Sequence, residues 1–308
     1  MILGGDLGGT KTLLALAEVT AGAPRIVREQ RFDSRAYGDF ADLLAEFLAG
    51  QHVTAAAFGL AGPTDGRRAR LTYLPWALDA GALENRFAIG SVALANDFAA
   101  AAHGLDLLAA EQLLPLQAGQ PLAAAPRVII GAGTGLGVAG LLTANGRTTV
   151  VPGEGGHMGF APQTAEQGAL WQSLFAGSGR VTTEDVVSGP GLARIHAFLH
   201  GRDKSPEAIG QAALAGDSAA RRTVDLWLAA YGAFAGDLAL HWLARGGVFI
   251  AGGIAAKLLP ALAPQPFLAA FNAKREHQAL AAAMPVHLVS EERLGLLGAL
   301  ALAAAQAN

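Results

Sequence analysis

A two-domain α/β fold is predicted by three features of the sequence: its length, a glycine-rich hairpin pattern that occurs twice, and short apolar strands that deliver polar residues to the starts of helices. The 308 residues suffice for two domains of ordinary size. Leu3–Glu18 and Val128–Leu142 each read as apolar strand, Gly/Thr turn, apolar strand. Such recurrence points to an internal duplication in which each hairpin heads its own α/β half.

Composition narrows the class. Hydrophobic residues make up 52% and charged residues 15%, but the apolar share is mostly Ala and Leu interspersed with Gly and polar residues. No run approaches the roughly 18 apolar positions of a bilayer span, so no membrane partner is expected. The N-terminus lacks a basic region followed by an apolar run and a small-residue cleavage site, which predicts a cytoplasmic protein. With no cysteine, disulfides and thiolate metal sites are excluded. The net charge of -3 and the absence of basic clusters beyond Arg67-Arg68-Ala69-Arg70 argue against nucleic acid. That short run reads as a solvated loop after Gly62-Pro63-Thr64-Asp65-Gly66, with anion contact as the alternative.

Taken in order, Ile2–Val19 reads as a hairpin, although Leu13, Leu14 and Leu16 among alanines also suit a helix. Phe40–Leu48 has helical apolar spacing with Asp39 as its cap, and Val53–Leu60 is a short apolar run ending in Gly-Pro punctuation. Leu78–Phe87 reads as helix. Val92–Leu94 is a buried strand whose carboxyl end delivers Asn96 and Asp97 to a helix over Phe98–Leu105, the usual place for ligands in open α/β sheets. Leu114–Arg127 reads as a loose Ala/Gln/Pro stretch before the second hairpin. Helices are expected over Ala165–Phe175 and Gly191–Leu199, the latter introduced by Ser188-Gly189-Pro190 as cap and first-turn proline. A long helix over Asp217–Ala244, a strand in Gly246–Gly253, a last strand at Val286–Val289 and a closing helix over Leu294–Ala305 complete the chain.

The first turn carries the chemistry. Gly4, Gly5, Gly8 and Gly9 let the backbone approach an anion, and Thr10 adds a hydroxyl. Asp6 would repel a bare phosphate, and makes sense if a divalent cation lies between, since Mg²⁺ takes one or two carboxylates and fills its shell with water and phosphate oxygens. Walker A needs Gly directly before Lys-Thr, but Lys11-Thr12 follows Thr10; the dinucleotide GxGxxG is also absent. A glycine-rich turn with no ligand remains the alternative.

Asp6-Leu7-Gly8-Gly9-Thr10, Asn96-Asp97-Phe98, Gly131-Ala132-Gly133-Thr134-Gly135-Leu136-Gly137, Glu154-Gly155-Gly156-His157, Ser188-Gly189-Pro190-Gly191 and Gly252-Gly253 occur together in this order. In this the chain closely resembles the bacterial glucokinases, over nearly its whole length, and specifically the group without the cysteine-rich zinc motif of repressor-like sugar kinases. The resemblance implies the two-domain actin-like ATPase (ribonuclease H-like) fold, with a small domain of residues 1–107 plus 294–308, a large domain of residues 108–293, and ATP and sugar in the cleft between them. It implies transfer of the γ-phosphoryl of Mg·ATP to the 6-hydroxyl of glucose, with ATP and Mg²⁺ as cofactors and glucose as substrate. A homodimer is suggested by the resemblance alone. Asp6, Gly8, Gly9 and Thr10 would form the first phosphate hairpin, with Asp6 on the metal, and Gly133, Thr134 and Gly135 the second. Gly252 and Gly253 would lie beside the adenosine. Asn96, Asp97, Glu154, His157 and Glu184 would bind sugar hydroxyls, with Asp97 next to the reacting one. The chain departs from some members at Lys11, at Tyr73, where Asn is frequent, and at Gly159 after Met158.

Each of these residues also has a plainer reading. Phosphoryl transfer depends on positioning and charge stabilisation with a carboxylate to receive the hydroxyl proton, the role expected of Asp97. Its alternative is an N-cap for the following helix. Glu154 and His157 could be half a metal site, but without HExxH or Cys zinc is not expected; carboxylate, amide and imidazole suit sugar hydroxyls, and the alternative for His157 is a loop residue bonded to backbone. Glu184 alone would be an ordinary acid before a helix. Two other classes share the fold. A sugar-responsive regulator would be expected to carry a DNA-binding extension, and no basic helix-turn-helix segment precedes the first hairpin. A protein-remodelling ATPase would not need Asn96-Asp97 together with Glu154-Gly155-Gly156-His157.

Overall fold

The computed structural model describes residues 1–20, 23–72, 74–262 and 264–307; Tyr73 lies outside the described residues. The chain forms two compact units, one of residues 1–109 with 291–308, the other of residues 110–290.

In the first unit β1 (Ile2–Leu7), β2 (Lys11–Thr20) and β3 (Ala23–Asp33) form an antiparallel meander, followed by α1 (Phe40–Leu48), β4 (Ala55–Leu60), β5 (Arg68–Arg70), β6 (Ala77–Asp79), α2 (Ala80–Phe87), β7 (Ser91–Asn96) and α3 (Asp97–Gly104). The main sheet has the order β3-β2-β1-β4-β7, with β1, β4 and β7 parallel. β4, AAAFGL, is buried at every position, as a parallel strand covered on both faces must be. On one face, α1 sets Phe40, Leu43, Leu44, Phe47 and Leu48 against Leu3, Leu7 and Phe58. These positions recur at helical spacing, and Asp39 caps the helix by accepting from Ala41 N at 2.6 Å. Burial of each large apolar side chain stabilises the fold by roughly 1.5–3 kcal/mol.

The second unit contains β8 (Leu113–Gln117), β9 (Arg127–Ala132), β10 (Leu136–Ala144), β11 (Arg147–Gly153), α4 (Ala165–Ser178), α5 (Thr183–Val186), α6 (Gly189–His200), α7 (Pro206–Leu214), α8 (Ser218–Trp242), β12 (Gly247–Ala251), α9 (Gly253–Leu262), α10 (Gln265–Asn272), α11 (Gln278–Ala282) and β13 (Val286–Val289). Its sheet has the order β11-β10-β9-β12-β13-β8. Its first five strands repeat the plan of the first unit: an antiparallel meander whose first strand is joined by two parallel ones. The topology thus carries the duplication that the two hairpins predict. α8 supplies the centre of the core, where the Tyr231 hydroxyl donates to Ile130 O at 3.2 Å and Trp227 Nε1 to Ser188 O at 3.2 Å. The last helix, α12 (Leu294–Gln306), belongs to the first unit, covering the free face of β1 and β4 with Leu296, Leu300, Ala303 and Ala304.

Three expectations are corrected. Leu114–Arg127 is not loose throughout, because β8 pairs antiparallel with β13 at the sheet edge, where Pro115 is tolerated. Helix α2 starts at Ala80 rather than Leu78, since residues 77–79 pair with β5 and Asp79 caps the helix. Helix α3 starts one residue early, at Asp97, and Asn96 is its cap. Among the described residues no single helix is long and apolar enough to cross a bilayer; α9 and α10 meet such a test only together, across a 103° bend, and α10 buries Phe267 and Phe271 in the core.

Candidate functional site

In the first unit the polar residues gather at the carboxyl ends of the parallel strands. Asp6 is the penultimate residue of β1 and pairs in register with Gly59 of β4, which pairs with Ala95 of β7. Asp6 therefore lies two strands, about 10 Å, from the point where Asn96 and Asp97 leave the sheet. Its half-buried carboxyl faces the first turn of α12, where a methyl built on Gly295 would come within 3.1 Å of Oδ2. Burial raises its pKa above the ordinary carboxylate range, an effect partly offset by the Lys11 ammonium. Among the described residues the carboxylate accepts no hydrogen bond from the protein, so its lone pairs are left for water or a hard cation. That donor set fits Mg²⁺, which needs few protein ligands when phosphate and water supply the rest.

The Gly8-Gly9-Thr10 turn is closed by Gly8 N donating to Lys11 O at 3.0 Å. It is braced from behind by Ser34, a residue that nothing in the sequence pattern singles out. Buried Ser34 donates from Oγ to Gly8 O at 2.8 Å and from N to Thr10 O at 3.0 Å, and its hydroxyl meets Thr12 Oγ1 at 2.9 Å. At the end of β7, Asn96 Oδ1 accepts from Phe98 N at 2.9 Å and Ala99 N at 3.3 Å, while Asp97 Oδ1 accepts from Phe98 N at 2.8 Å. Asn96 is thus the cap residue, and Asp97 occupies the first position of the helix, sharing the Phe98 N–H.

In the second unit the Gly133-Thr134-Gly135 turn is closed by Gly133 N donating to Gly135 O at 2.8 Å. It is held on two sides. Gly189 N, at the start of α6, donates to Gly133 O at 2.8 Å, and Leu136 N donates to Glu184 Oε2 at 2.8 Å. Ser188 caps α6 through Gly191 N at 3.0 Å. Gly252 has φ +93°, and its ideal Cβ position is 2.4 Å from Ala132 O, so only glycine lets β12 turn into α9 against the hairpin. Around Gly133, Thr134 and Gly253 opens a cavity of about 600 Å³, a size usual for small-molecule sites. Its apolar wall includes Pro206, Leu214, Ile254 and Leu258, and its polar side chains are Thr134, Glu207, Gln211 and Lys257. Apart from Gly253, which opens α9, the residues that α7 and α9 bring to these walls are not among those expected from the sequence. For α7 the signal is present in Ser205-Pro206-Glu207, a cap, first-turn proline and acid in succession.

Glu154 precedes and His157 ends a single 3₁₀ turn over residues 155–157, with the imidazole Nε2 3.9 Å from Glu154 Oε2 and both side chains largely exposed. This turn is tied to the segment before α5, since Phe160 N donates to Val181 O at 3.0 Å and Gly159 bridges Thr182. Thr183 donates to Met158 O from N at 2.8 Å and Oγ1 at 3.2 Å. Glu154, His157 and Glu184 are thereby carried by one connected layer beside the β9–β10 hairpin. Among the described residues no cluster of three or more His, Cys, Asp or Glu could hold a metal ion.

Known proteins similar to this chain point to one family. The glucokinase family model matches residues 3–306. The chain is 38% identical to the glucokinase of Nostoc sp. (strain PCC 7120), over 99% of both chains. Among solved structures it is similar to a glucokinase from an Antarctic psychrotroph, with a TM-score of 0.88, 29% identity and 98% coverage of both chains. A glucokinase of the ROK family from Streptomyces griseus, in complex with glucose and AMPPNP, aligns with a TM-score of 0.65 at 22% identity over 98% of both chains, a likeness of fold. The fold is accordingly that of the actin-like ATPases to which these sugar kinases belong. With the family model matched almost end to end and curated relatives at this level of identity, the chain belongs to the glucokinase family.

Proposed function

We propose that the sugar phosphorylation characteristic of this family is, in this chain, transfer of the γ-phosphoryl group of ATP to the 6-hydroxyl of glucose, with Asp97 as the general base. The observation that carries the assignment is the start of α3 at the carboxyl end of β7, where Asn96 is the cap residue, accepting from Phe98 N and Ala99 N, and Asp97, which shares the Phe98 N–H, stands at the first helical position. In this reading the 6-oxygen bonds to the γ-phosphorus, the bond from that phosphorus to the β,γ-bridging oxygen breaks to release ADP, and the hydroxyl proton passes to the Asp97 carboxylate. Asn96, Glu154, His157 and Glu184 orient the sugar through its hydroxyls, which donate to the carboxylates and exchange hydrogen bonds with the amide and imidazole. The Gly8–Thr10 and Gly133–Gly135 turns present backbone N–H groups to phosphate oxygens. The cavity between α7 and α9 receives the nucleoside, beside Gly252 and Gly253. Asp6 would hold Mg²⁺, which when bound neutralises phosphate charge.

The protein solved with glucose and AMPPNP supports the choice of both ligands. A coupled assay on purified protein, with a panel of hexoses, several nucleoside triphosphates, and excess chelator as a control, tests the whole reading. Glucose and ATP should give the fastest turnover, and chelator should abolish it. A protein that binds glucose yet never consumes ATP would instead be a sugar-binding regulator of the same fold.

A further inference from the structure

Glu184 stands at a junction that binding a sugar alone would not require. Its Oε2 accepts the N–H of Leu136 at 2.8 Å, immediately after the Gly133–Gly135 turn. The ideal Cβ position at Gly135 lies 2.6 Å from that same oxygen, so the carboxylate fills the space that a side chain at 135 would occupy. The backbone that carries it is fixed. A reciprocal cap between Thr182 and Asp185 holds α5, and the two Thr183 hydrogen bonds to Met158 O tie α5 to the loop bearing His157. A carboxylate offers two oxygens, and among the described residues Oε1 takes no protein hydrogen bond, which leaves it for a sugar hydroxyl.

We infer that Glu184 is a positioning residue that couples the two substrates: one oxygen receives the sugar, the other holds the nucleotide turn in shape. This rests on the assignment of the sugar and nucleotide sites made above. A hydroxyl donating to Oε1 fixes the carboxylate plane and with it the Oε2 contact that orders Gly135 and Leu136. By linkage the effect is reciprocal, and each substrate strengthens binding of the other.

Calorimetry on the full chain, with glucose alone and with Mg·AMPPNP alone, tests this through cross effects. Gly135→Ala places a methyl where Oε2 now sits, and because the displaced atoms end a flexible side chain the fold can accommodate it. Although residue 135 belongs to the nucleotide turn, this variant should weaken glucose binding about tenfold in the absence of nucleotide, the scale of one hydrogen bond to a charged group. Glu184→Ala should likewise weaken AMPPNP binding in the absence of sugar, and Glu184→Gln, which keeps an acceptor for Leu136 N, should restore most of it. Glucose affinity within about twofold of wild type in a folded Gly135→Ala protein overturns the inference. If that variant does not fold, unchanged AMPPNP affinity in Glu184→Ala overturns it equally. A wild-type chain that binds no glucose removes instead the site assignment underneath.

Discussion

Exchanging Asn96 for Ala and Asp97 for Asn separates helix capping from chemistry at two adjacent positions. Asn96→Ala removes both hydrogen bonds to Asn96 Oδ1, but the Phe98 N–H keeps its bond to Asp97 Oδ1 at 2.8 Å. Only the Ala99 N–H, whose bond is the longer at 3.3 Å, is orphaned. The cost should therefore fall in the lower part of the range for cap removal, about 0.5–1 kcal/mol, or a melting temperature lower by about 1–2 °C. Asp97→Asn keeps an oxygen for the Phe98 N–H and gives up a charge at the helix start, a loss of about 0.3–1 kcal/mol. The two variants should thus be almost equally stable. Turnover at saturating glucose should part them, because the amide at 97 cannot take the hydroxyl proton, whereas Asn96→Ala, which also removes a sugar contact, should raise the glucose requirement more than it lowers turnover. A fall of at least about 10²-fold, or about 2.7 kcal/mol of barrier, is expected of Asp97→Asn, with glucose affinity within an order of magnitude of wild type. Thermal melting, glucose calorimetry and the coupled assay on both proteins decide. Wild-type turnover in Asp97→Asn refutes the base assignment, and a stability loss above about 3 kcal/mol would show that the carboxylate acts through the fold instead.

Asp6→Asn should cut turnover and leave glucose affinity nearly unchanged; it should also raise the melting temperature at neutral pH. Burial raises the folded-state pKa of Asp6, so its ionisation becomes a cost to the fold as pH climbs above the usual carboxylate range, and the amide removes that cost. Histidine works in the opposite sense. Burial lowers the pKa of His103, His196 and His287 below the unfolded value of about 6.5, so stability should be full above that pH and decline as pH falls through it, in melting curves between about pH 7.5 and 5.5. Gly298→Ala would place a methyl 1.7 Å from Ala100 O, backbone against backbone, and force α12 from α3. It should cost about 3 kcal/mol in urea unfolding, and a loss under about 1 kcal/mol would show that the two helices slide freely.

Elements whose pattern comes from burial on one face are legible in the sequence alone. Helix α1 keeps its expected bounds, Phe40–Leu48, because Asp39 and five apolar residues at helical spacing all specify it. Strand β13 likewise keeps Val286–Val289. β3 is not legible, for of its residues only Phe32 is buried, and the alternation of Arg25, Arg28, Glu29 and Arg31 resembles a loop when no core demands a register. At the candidate site, the glycine turns and Asn96-Asp97 stand out because their residue types are unusual for a strand end. Which of the two caps α3 does not, since Asn and Asp are equally good caps and one residue of helix phase decides. Glu184 has no local signal, and its contact with Leu136 joins residues 48 positions apart. The walls from α7 and α9 are ordinary amphipathic helices, and their link to Gly133 and Thr134 exists only in three dimensions.

The return of α12 to the first unit sets an order for synthesis. Ile2, Ala15, Ala17, Ala55 and Ala57 are covered by Leu296, Leu300, Ala303 and Ala304, which the ribosome adds only after all of residues 110–290. At translation rates of about 5–20 residues per second, this apolar face waits roughly 12–50 s for its cover, while the second unit, continuous in sequence, emerges whole. The nascent chain would therefore complete its later half first. Its earliest strands, with one side of their sheet still open, are where a holdase chaperone would find its binding surface.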